Sequence, residues 1–513
     1  MKVSSVLAVG VALTGGVEGF GLPAWVQNKV YLGGNYNNNN NGRPSVAARP
    51  EYNVPSGVSG FLASRLGNTN LPAGHSVTAA ATAYGSFVAV NPTIPSATLA
   101  SSGSTASTSA VSTSTTVSSS NSTTNGTLVS CAQDAKISPN QANDAKSRCN
   151  WALGFDINTD VDSKWPNTGN VVKYTLTITN GTIAPQGDQK IGFLVNGQSP
   201  GPKLEANWGD TFEITVVNQL QHNGTAMHWH GFQQKQTNSQ DGVGGITECP
   251  LAPGDSKTYR FQATSHGTSW YHSHFSGQYG EGVYGPIVVN GPTSYNYDID
   301  LGTVMVSDYY PLTAFQEEWI ASRFGPPTAS NYLLNGQNAK VDGSAGQRSK
   351  WTFQPGKKHK LRFINTSTDH HFKIQLDQHS MIVVAADYVA ITPYRTSELS
   401  IAIGQRYDVV VEANQVASNY WLRALMAKDC SFGLNDGTGI ANGIISYSNA
   451  LSGALPSSRM TTTHNNACVD EPLSVLKPIV AKSVDSSSFS TTTLPVGAGV
   501  VQSSNDTVFR WTM

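Results

Sequence analysis

Apolar and polar residues alternate through the middle of this chain in short bursts. Tyr-Thr-Leu-Thr-Ile-Thr at 174–179 and Phe-Glu-Ile-Thr-Val at 212–216 change character at every position. That period of two is the mark of strands with one face in a core and the other toward water. Asn207-Trp208-Gly209-Asp210 reads as the turn before the second of them, and Asn223-Gly224 as another. Further strands are predicted at 259–261 and 285–289, and residues 131–292 together predict one antiparallel sandwich. A second strand-rich unit follows at 295–458, with strands at 361–364, 371–376, 381–385, 407–411 and 420–422. Residues 459–513 read as a linker, Ser/Thr-rich at 483–504, ending on a strand that starts at Val508. Apolar runs are short and punctuated by Gly and Pro, so the predicted class is all-β.

The pattern fades toward the N-terminus. Residues 20–130 contain an Asn run at 37–41 and an almost pure Ser/Thr/Ala/Val stretch at 97–130. Such a composition buries too little apolar area to offset its ordering entropy, and it predicts a disordered, O-glycosylated stalk. Residues 1–19 read as a secretory signal: Lys2, an apolar run at 6–13, then small residues. The run is too short to span a bilayer, and no later stretch approaches about 18 uninterrupted apolar residues.

Composition narrows the function further. Of 513 residues only 13 % are charged and the net charge is −1, which leaves no electrostatic basis for nucleic-acid or membrane-surface binding. Six Asn-X-Ser/Thr sequons, at Asn121, Asn125, Asn180, Asn223, Asn365 and Asn505, agree with secretion. The five cysteines are an odd number for an oxidising compartment. Cys131 with Cys149 and Cys430 with Cys468 could each close a loop, leaving Cys249 over.

Candidate chemistry gathers between 228 and 274. His228-Trp229-His230 and His272-Ser273-His274 are two His-X-His pairs, with Asp241-Gly242 and Thr-Glu-Cys-Pro at 247–250 between them. Residues i and i+2 of a strand share a face, so both imidazoles of each pair can converge on a metal. A lone His-X-His is more often a hydrogen-bonded histidine pair. Two of them in one domain, each beside an aromatic residue, point to ligation. Neutral imidazoles suit copper, zinc, iron or nickel, and spacing does not choose among these.

These stretches resemble the multicopper oxidases, specifically the ascomycete laccases. The likeness rests on Gly-Phe-Asp-Ile-Asn at 154–158, Val-Asn-Gly-Gln-Ser-Pro-Gly-Pro at 195–202, Asn-Trp-Gly-Asp at 207–210 and the two histidine motifs with Asp241-Gly242 between them. Asn-Thr-Ser-Thr at 365–368, Ala-Ala-Asp at 385–387 and Gly-Gln-Arg-Tyr-Asp at 404–408 extend it. The resemblance implies tandem cupredoxin-like Greek-key β-sandwich domains and a trinuclear copper cluster at a domain interface. It implies that His228 binds type-2 copper, that His230 and His272 share one type-3 copper, and that His274 binds the other. Asp241 would relay protons near the type-2 site, and Asp369 would accept a phenol's proton in the substrate pocket. Substrates would be phenols or aromatic amines with dioxygen, and a complete protein would be a monomer.

Three departures qualify the likeness. The family's third domain carries His-Pro-X-His-Leu-His and His-Cys-His, which supply the type-1 site and half of the trinuclear ligands; neither motif occurs here. In the family the cysteine of Thr-Glu-Cys-Pro bridges to one near the C-terminus, so the unpaired Cys249 agrees with a C-terminally truncated chain. His266 precedes Gly-Thr-Ser-Trp where an aromatic or small residue is usual, and reads as a bystander. The expectation is therefore a secreted laccase-type oxidase represented by an incomplete chain. The alternative is a non-catalytic secreted glycoprotein of the same fold, holding copper partially or serving a wall or binding role. An assembly of short chains with copper sites between subunits would need a type-1 site that the sequence does not contain.

Overall fold

Eight strands between 171 and 290 build the first sandwich. They are β1 (Val171–Ile183), β2 (Lys190–Val195), β3 (Leu204–Asn207), β4 (Thr211–Asn218), β5 (Met227–Trp229), β6 (Ser256–Gln262), β7 (Gly267–Ser273) and β8 (Tyr284–Asn290). One sheet has the order β2-β1-β4-β6 and the other β3-β8-β7-β5. This computed structural model describes residues 142–431, 440–450 and 453–483, and the backbone of a hairpin formed by Gly497–Ser503 and Asp506–Thr512. The signal-like, Asn-rich and Ser/Thr-rich stretches of 1–130 lie outside the described residues, as do Cys131, Asn121, Asn125 and Asn505.

Alternation does in β4 what the sequence predicts: Phe212, Ile214 and Val216 are buried while their neighbours are partly exposed. They pack on Leu176, Ile178, Trp208, Trp229 and Tyr271 in one core. Each such side chain contributes about 1.5–3 kcal/mol by leaving water, and truncating Phe212 to Ala would cost about 3–5 kcal/mol. The purely antiparallel expectation is corrected here. β1 pairs parallel with β4, and β3 parallel with β8. The chain crosses to the other sheet at β3 and returns, so β4 reaches β1 by a long connection and runs in the same direction.

The second sandwich comprises β9 (Ile299–Tyr309), β10 (Asn331–Leu334), β11 (Lys350–Phe353), β12 (Lys358–Asn365), β13 (Phe372–Leu376), β14 (Met381–Ala386), β15 (Val389–Thr396), β16 (Leu399–Ile401), β17 (Arg406–Glu412), β18 (Asn419–Met426) and β19 (Ala441–Tyr447). Its sheets have the orders β10-β9-β12-β17-β14-β15 and β11-β19-β18-β13-β16. Their facing side chains, among them Leu361, Phe363, Phe372, Val409 and Leu422, form its core. One helix, α1 (Ala314–Phe324), interrupts the strands. Thr313 caps it and Gln316 caps back, a reciprocal Thr-X-X-Gln box that satisfies two otherwise free N–H groups.

The sandwiches meet along β7, which crosses β12 and β17. Alternation places Lys360, Arg362 and Asp408 on the outer face of those strands, yet all three are buried. Lys360 Nζ lies 2.9 Å and Arg362 Nη1 3.1 Å from Asp408 Oδ2, and Arg362 Nη1 donates to Thr268 Oγ1 of β7 at 2.9 Å. Beside this ionic patch, Trp270 of β7 packs with Tyr284, Met305 and Ile364. Beyond β19 the chain returns over the second sandwich, held by the Cys430–Cys468 disulfide. Lys482 then pairs with Asp160 and Asp162 of the first sandwich. Cys149 is also disulfide-bonded, whereas Cys249 is free and exposed.

Candidate metal centre

β5 and β7 run antiparallel with His228 opposite His272 and Trp229 opposite Tyr271. The ladder continues past β5: His230 N–H donates to the Trp270 carbonyl at 3.0 Å, and His274 N–H to that of Ala226 at 2.8 Å. Odd residues Trp229 and Tyr271 therefore point into the core, fully buried. Even residues His228, His230, His272 and His274 share the opposite face. The register thus brings together all four histidines of the two pairs. Ring centroids lie 5.8 Å apart for His228–His230, 5.3 Å for His228–His272, 5.5 Å for His230–His272 and 5.6 Å for His228–His274.

Hydrogen bonds set which nitrogens are free. His228 Nδ1 lies 2.8 Å from the Asp241 carbonyl oxygen, and His272 Nδ1 lies 3.1 Å from that of Ser273. A carbonyl only accepts, so each Nδ1 carries the proton and each Nε2 keeps its lone pair. His272 Nε2 is 3.3 Å from His230 Nδ1. Those two nitrogens can share a proton or both turn lone pairs to one cation. One ligand atom from each of His228, His230 and His272 lies within 4.8 Å of the others. His274 stands beside this trio, its ring 6.1 Å from that of His272. Trp270 stacks on the group, 4.1 Å from His272 and 5.2 Å from His230.

Burial pushes His230 and His272 well below the usual histidine range, aided at His230 by the Arg406 charge and at His272 by His228. Burial lowers His274 as well. The three rings are therefore neutral under ordinary conditions, the form a metal binds. Four imidazoles on one strand face, with the tautomers of His228 and His272 set by carbonyls, fit copper, and nothing in the donor set opposes it.

Asp241 reaches the site chiefly through its backbone. Its carbonyl holds His228 Nδ1, while its carboxylate Oδ1 is 3.4 Å from the same nitrogen. Gly242 explains the neighbouring residue type. It has φ of +77°, and a Cβ there would fall 1.6 Å from the Met227 carbonyl oxygen, so only glycine lets this loop lie on β5. Asp369 is exposed on the turn between β12 and β13. Tyr279 links the two places, its ring 5.5 Å from His272 and its hydroxyl donating to the Ser367 carbonyl at 3.3 Å. His266 lies outside the group, buried 4.7 Å from the Trp208 ring, where burial and then Lys360 pull it to about 3.

Two contributors from the second sandwich escaped the sequence reading as site residues. Gly404, at φ +78°, approaches so closely that a Cβ would sit 3.0 Å from His230 Cε1. Arg406 donates through Nε to the Thr268 carbonyl at 3.1 Å and through Nη1 to that of Gly404 at 3.2 Å. It also pairs with Asp387 at 2.8 Å. A Cβ on Gly231, next to His230, would meet Arg406 Nη2 at 2.5 Å. The signal was the Gly-Gln-Arg-Tyr-Asp stretch itself, but no local rule ties it to a histidine in another domain.

Comparison with known proteins matches this geometry. Two family profiles, both described as multicopper oxidase, cover residues 177–294 and 300–450. The chain belongs to the multicopper oxidase family. A laccase of Neurospora crassa is 44% identical over 356 residues, covering 68% of this chain and 57% of that protein. Laccase-1 of Melanocarpus albomyces is 43% identical over 354 residues, covering 68% and 56%. The crystal structure of a laccase from Botrytis aclada superposes with a TM-score of 0.67 at 39% identity, covering 72% of this chain and 68% of that one. The chain thus spans less than two thirds of the length of the curated laccases it matches. Family membership makes copper the metal that the imidazoles fit, and the solved laccase makes the tandem sandwiches cupredoxin-like.

Proposed function

We propose that this protein acts as a laccase-type oxidase, removing single electrons from phenols or aromatic amines and reducing dioxygen to water. The observation that carries this reading is the β5–β7 register, which lines four imidazoles along one face and brings ring nitrogens of His228, His230 and His272 within 4.8 Å of one another. In this reading His228 holds type-2 copper, His230 and His272 share a type-3 copper, and His274 serves the other type-3 ion. Bound copper supplies the one-electron redox chemistry between the organic substrate and dioxygen. The chain's own residues supply positions and protons. The Asp241 carbonyl orients His228, and its carboxylate is close enough to hold a water and pass on protons that dioxygen reduction consumes. Asp369, exposed beside the second sandwich, takes the phenolic proton as the electron leaves. The motifs His-Pro-X-His-Leu-His and His-Cys-His are absent from these 513 residues, so turnover draws its remaining copper ligands from outside them.

We also place the protein outside the cell, where the Cys430–Cys468 disulfide is stable. Among the described residues no helix is long and apolar enough to cross a membrane.

The test loads the purified gene product with copper, measures bound metal, and follows oxygen uptake with a phenol. Copper retained by wild type and lost from His230→Ala and His272→Ala, with uptake that depends on both, is the expected result. Copper held equally by the variants overturns the site. Tight copper without oxygen uptake overturns the oxidase reading and leaves a copper-binding protein.

A further inference from the structure

Asp308 closes β9 with its carboxylate buried beneath the turn that carries Asp369. It accepts from the Thr368 N–H at 3.0 Å, the Thr368 hydroxyl at 3.2 Å and the Asp369 N–H at 2.8 Å. His370 Nδ1 lies 2.9 Å from the same carboxylate and, facing an acceptor, donates to it. The Tyr310 hydroxyl is a weaker donor at 3.4 Å. Asn365 closes the turn from the other side. Its Nδ2 donates to the carbonyls of His370 at 2.9 Å and Ile401 at 3.0 Å, and its Oδ1 accepts the Ser367 N–H at 3.0 Å.

Thr368 and Asp369 are nevertheless exposed, between buried Ser367 and His370. An exposed pair would ordinarily wander, because ordering each residue costs backbone entropy. Three successive residues donating to one buried anion oppose that. Bonds to a charged acceptor are roughly twice as strong as neutral ones. The His370 Nδ1–H bond adds rigidity, since its ring is clamped 5.0 Å from Tyr332.

We propose that Asp308 is the positioning residue for Asp369: its buried carboxylate, gripped by the Thr368, Asp369 and His370 donors, holds the exposed acid of that turn in one place. The functional part of this assignment rests on the reading of Asp369 as the group that takes the phenolic proton. The anchoring part stands on geometry alone. Groups facing Asp308 are His370, Asp369 and the phenols of Tyr310, Tyr279 and Tyr284. Burial by itself would raise the Asp308 carboxyl, but the His370 bond, the His370 charge and the two backbone donors outweigh it and hold it below the usual range.

Amide hydrogen exchange at Thr368 and Asp369 in the full chain tests the anchor, comparing wild type, Asp308→Asn and Asp369→Asn across the carboxylate pH range. Loss of one or two charge-assisted bonds predicts exchange at least about tenfold faster in Asp308→Asn, with the β13 amides unchanged. Wild-type protection, corrected for intrinsic rates, should collapse only as Asp308 protonates, and Asp369→Asn should keep it. Wild-type rates in a folded Asp308→Asn overturn the proposal. If that variant does not fold, the wild-type profile decides: protection indifferent to pH through this range overturns it. Phenol oxidation by copper-loaded gene product then separates the two readings. An Asp369→Asn variant with unchanged phenol turnover removes the proton-acceptor role while the exchange result still decides the anchor.

Discussion

Replacing Gly242 with alanine should weaken copper binding at the proposed site without altering any of the four histidines. The new Cβ would lie 1.6 Å from the Met227 carbonyl oxygen and 2.4 Å from its carbon. Carbon and oxygen do not approach much closer than about 3.3 Å, so the loop must retreat from β5 by roughly 1.7 Å. No rotamer relieves this, because the obstacle is strand backbone paired with β7. The left-handed φ of +77° adds about 1 kcal/mol for any side chain. Retreat takes the Asp241 carbonyl with it, and the 2.8 Å bond that fixes the His228 tautomer is lost. Losing such an outer partner typically weakens metal binding about 10–100-fold, or about 1.4–2.8 kcal/mol. Competition with a chromophoric copper chelator measures this directly, with Asp241→Asn as the contrast. That variant keeps the backbone carbonyl, and its copper affinity should stay within about threefold of wild type. Equal affinity in Gly242→Ala and wild type would refute the reasoning. So would a loss in Asp241→Asn as large as that in Gly242→Ala, since the carboxylate would then be the element that matters.

Gly404→Ala presses a methyl to 3.0 Å from His230 Cε1 at a left-handed backbone, and copper affinity should fall about tenfold while a Gly453→Ala control, with open space around it, binds normally. Burial would raise Asp300, but Arg362 and Lys360 outweigh it and bring it to about 2. A depressed carboxyl contributes stability above its unfolded value near 3.9 and loses it as pH falls toward 2, so Asp300→Asn should cost on the order of 2 kcal/mol at neutral pH in a denaturant titration and progressively less on acidification. Stability loss independent of pH would contradict that. Asn365, though a sequon, is fully buried and donates to two carbonyls. Glycopeptide mapping should find glycan at exposed Asn180 and none at Asn365, and Asn365→Ala should destabilise by about 2–3 kcal/mol through the stranded acceptors.

Much of the architecture is legible in the sequence alone. Strands with one wet face announced themselves by alternation, and β4 is buried at every second residue. Strands covered on both faces show where apolar runs are continuous, as at Met381–Ala386, while β3, β10, β11 and β16 are too short to show a period, and the longer β9, β15 and β19 are not among the strands the sequence predicts. Helix α1 was missed although its Thr-X-X-Gln box stood in the sequence, because its apolar stripe is weak and only Ile320 is buried. The two histidine pairs were evident from spacing. Gly404 and Arg406 were not, since their importance lies in touching His230 across a domain boundary.

The sequence by itself determined the β class, the two-residue period that puts both histidines of each pair on one face, and the residue types a metal requires. Those follow from local geometry, which each segment carries with it. Only the tertiary structure decided that His228 stands opposite His272, that the Asp241 carbonyl holds the His228 ring, and that Asp308 grips the turn of Asp369. It also turned Lys360, Arg362 and Asp408, polar positions that alternation assigns to solvent, into a buried ionic seam under β7. The reason is physical: register, loop docking and domain contact depend on groups far apart in the chain, whose meeting no local pattern encodes.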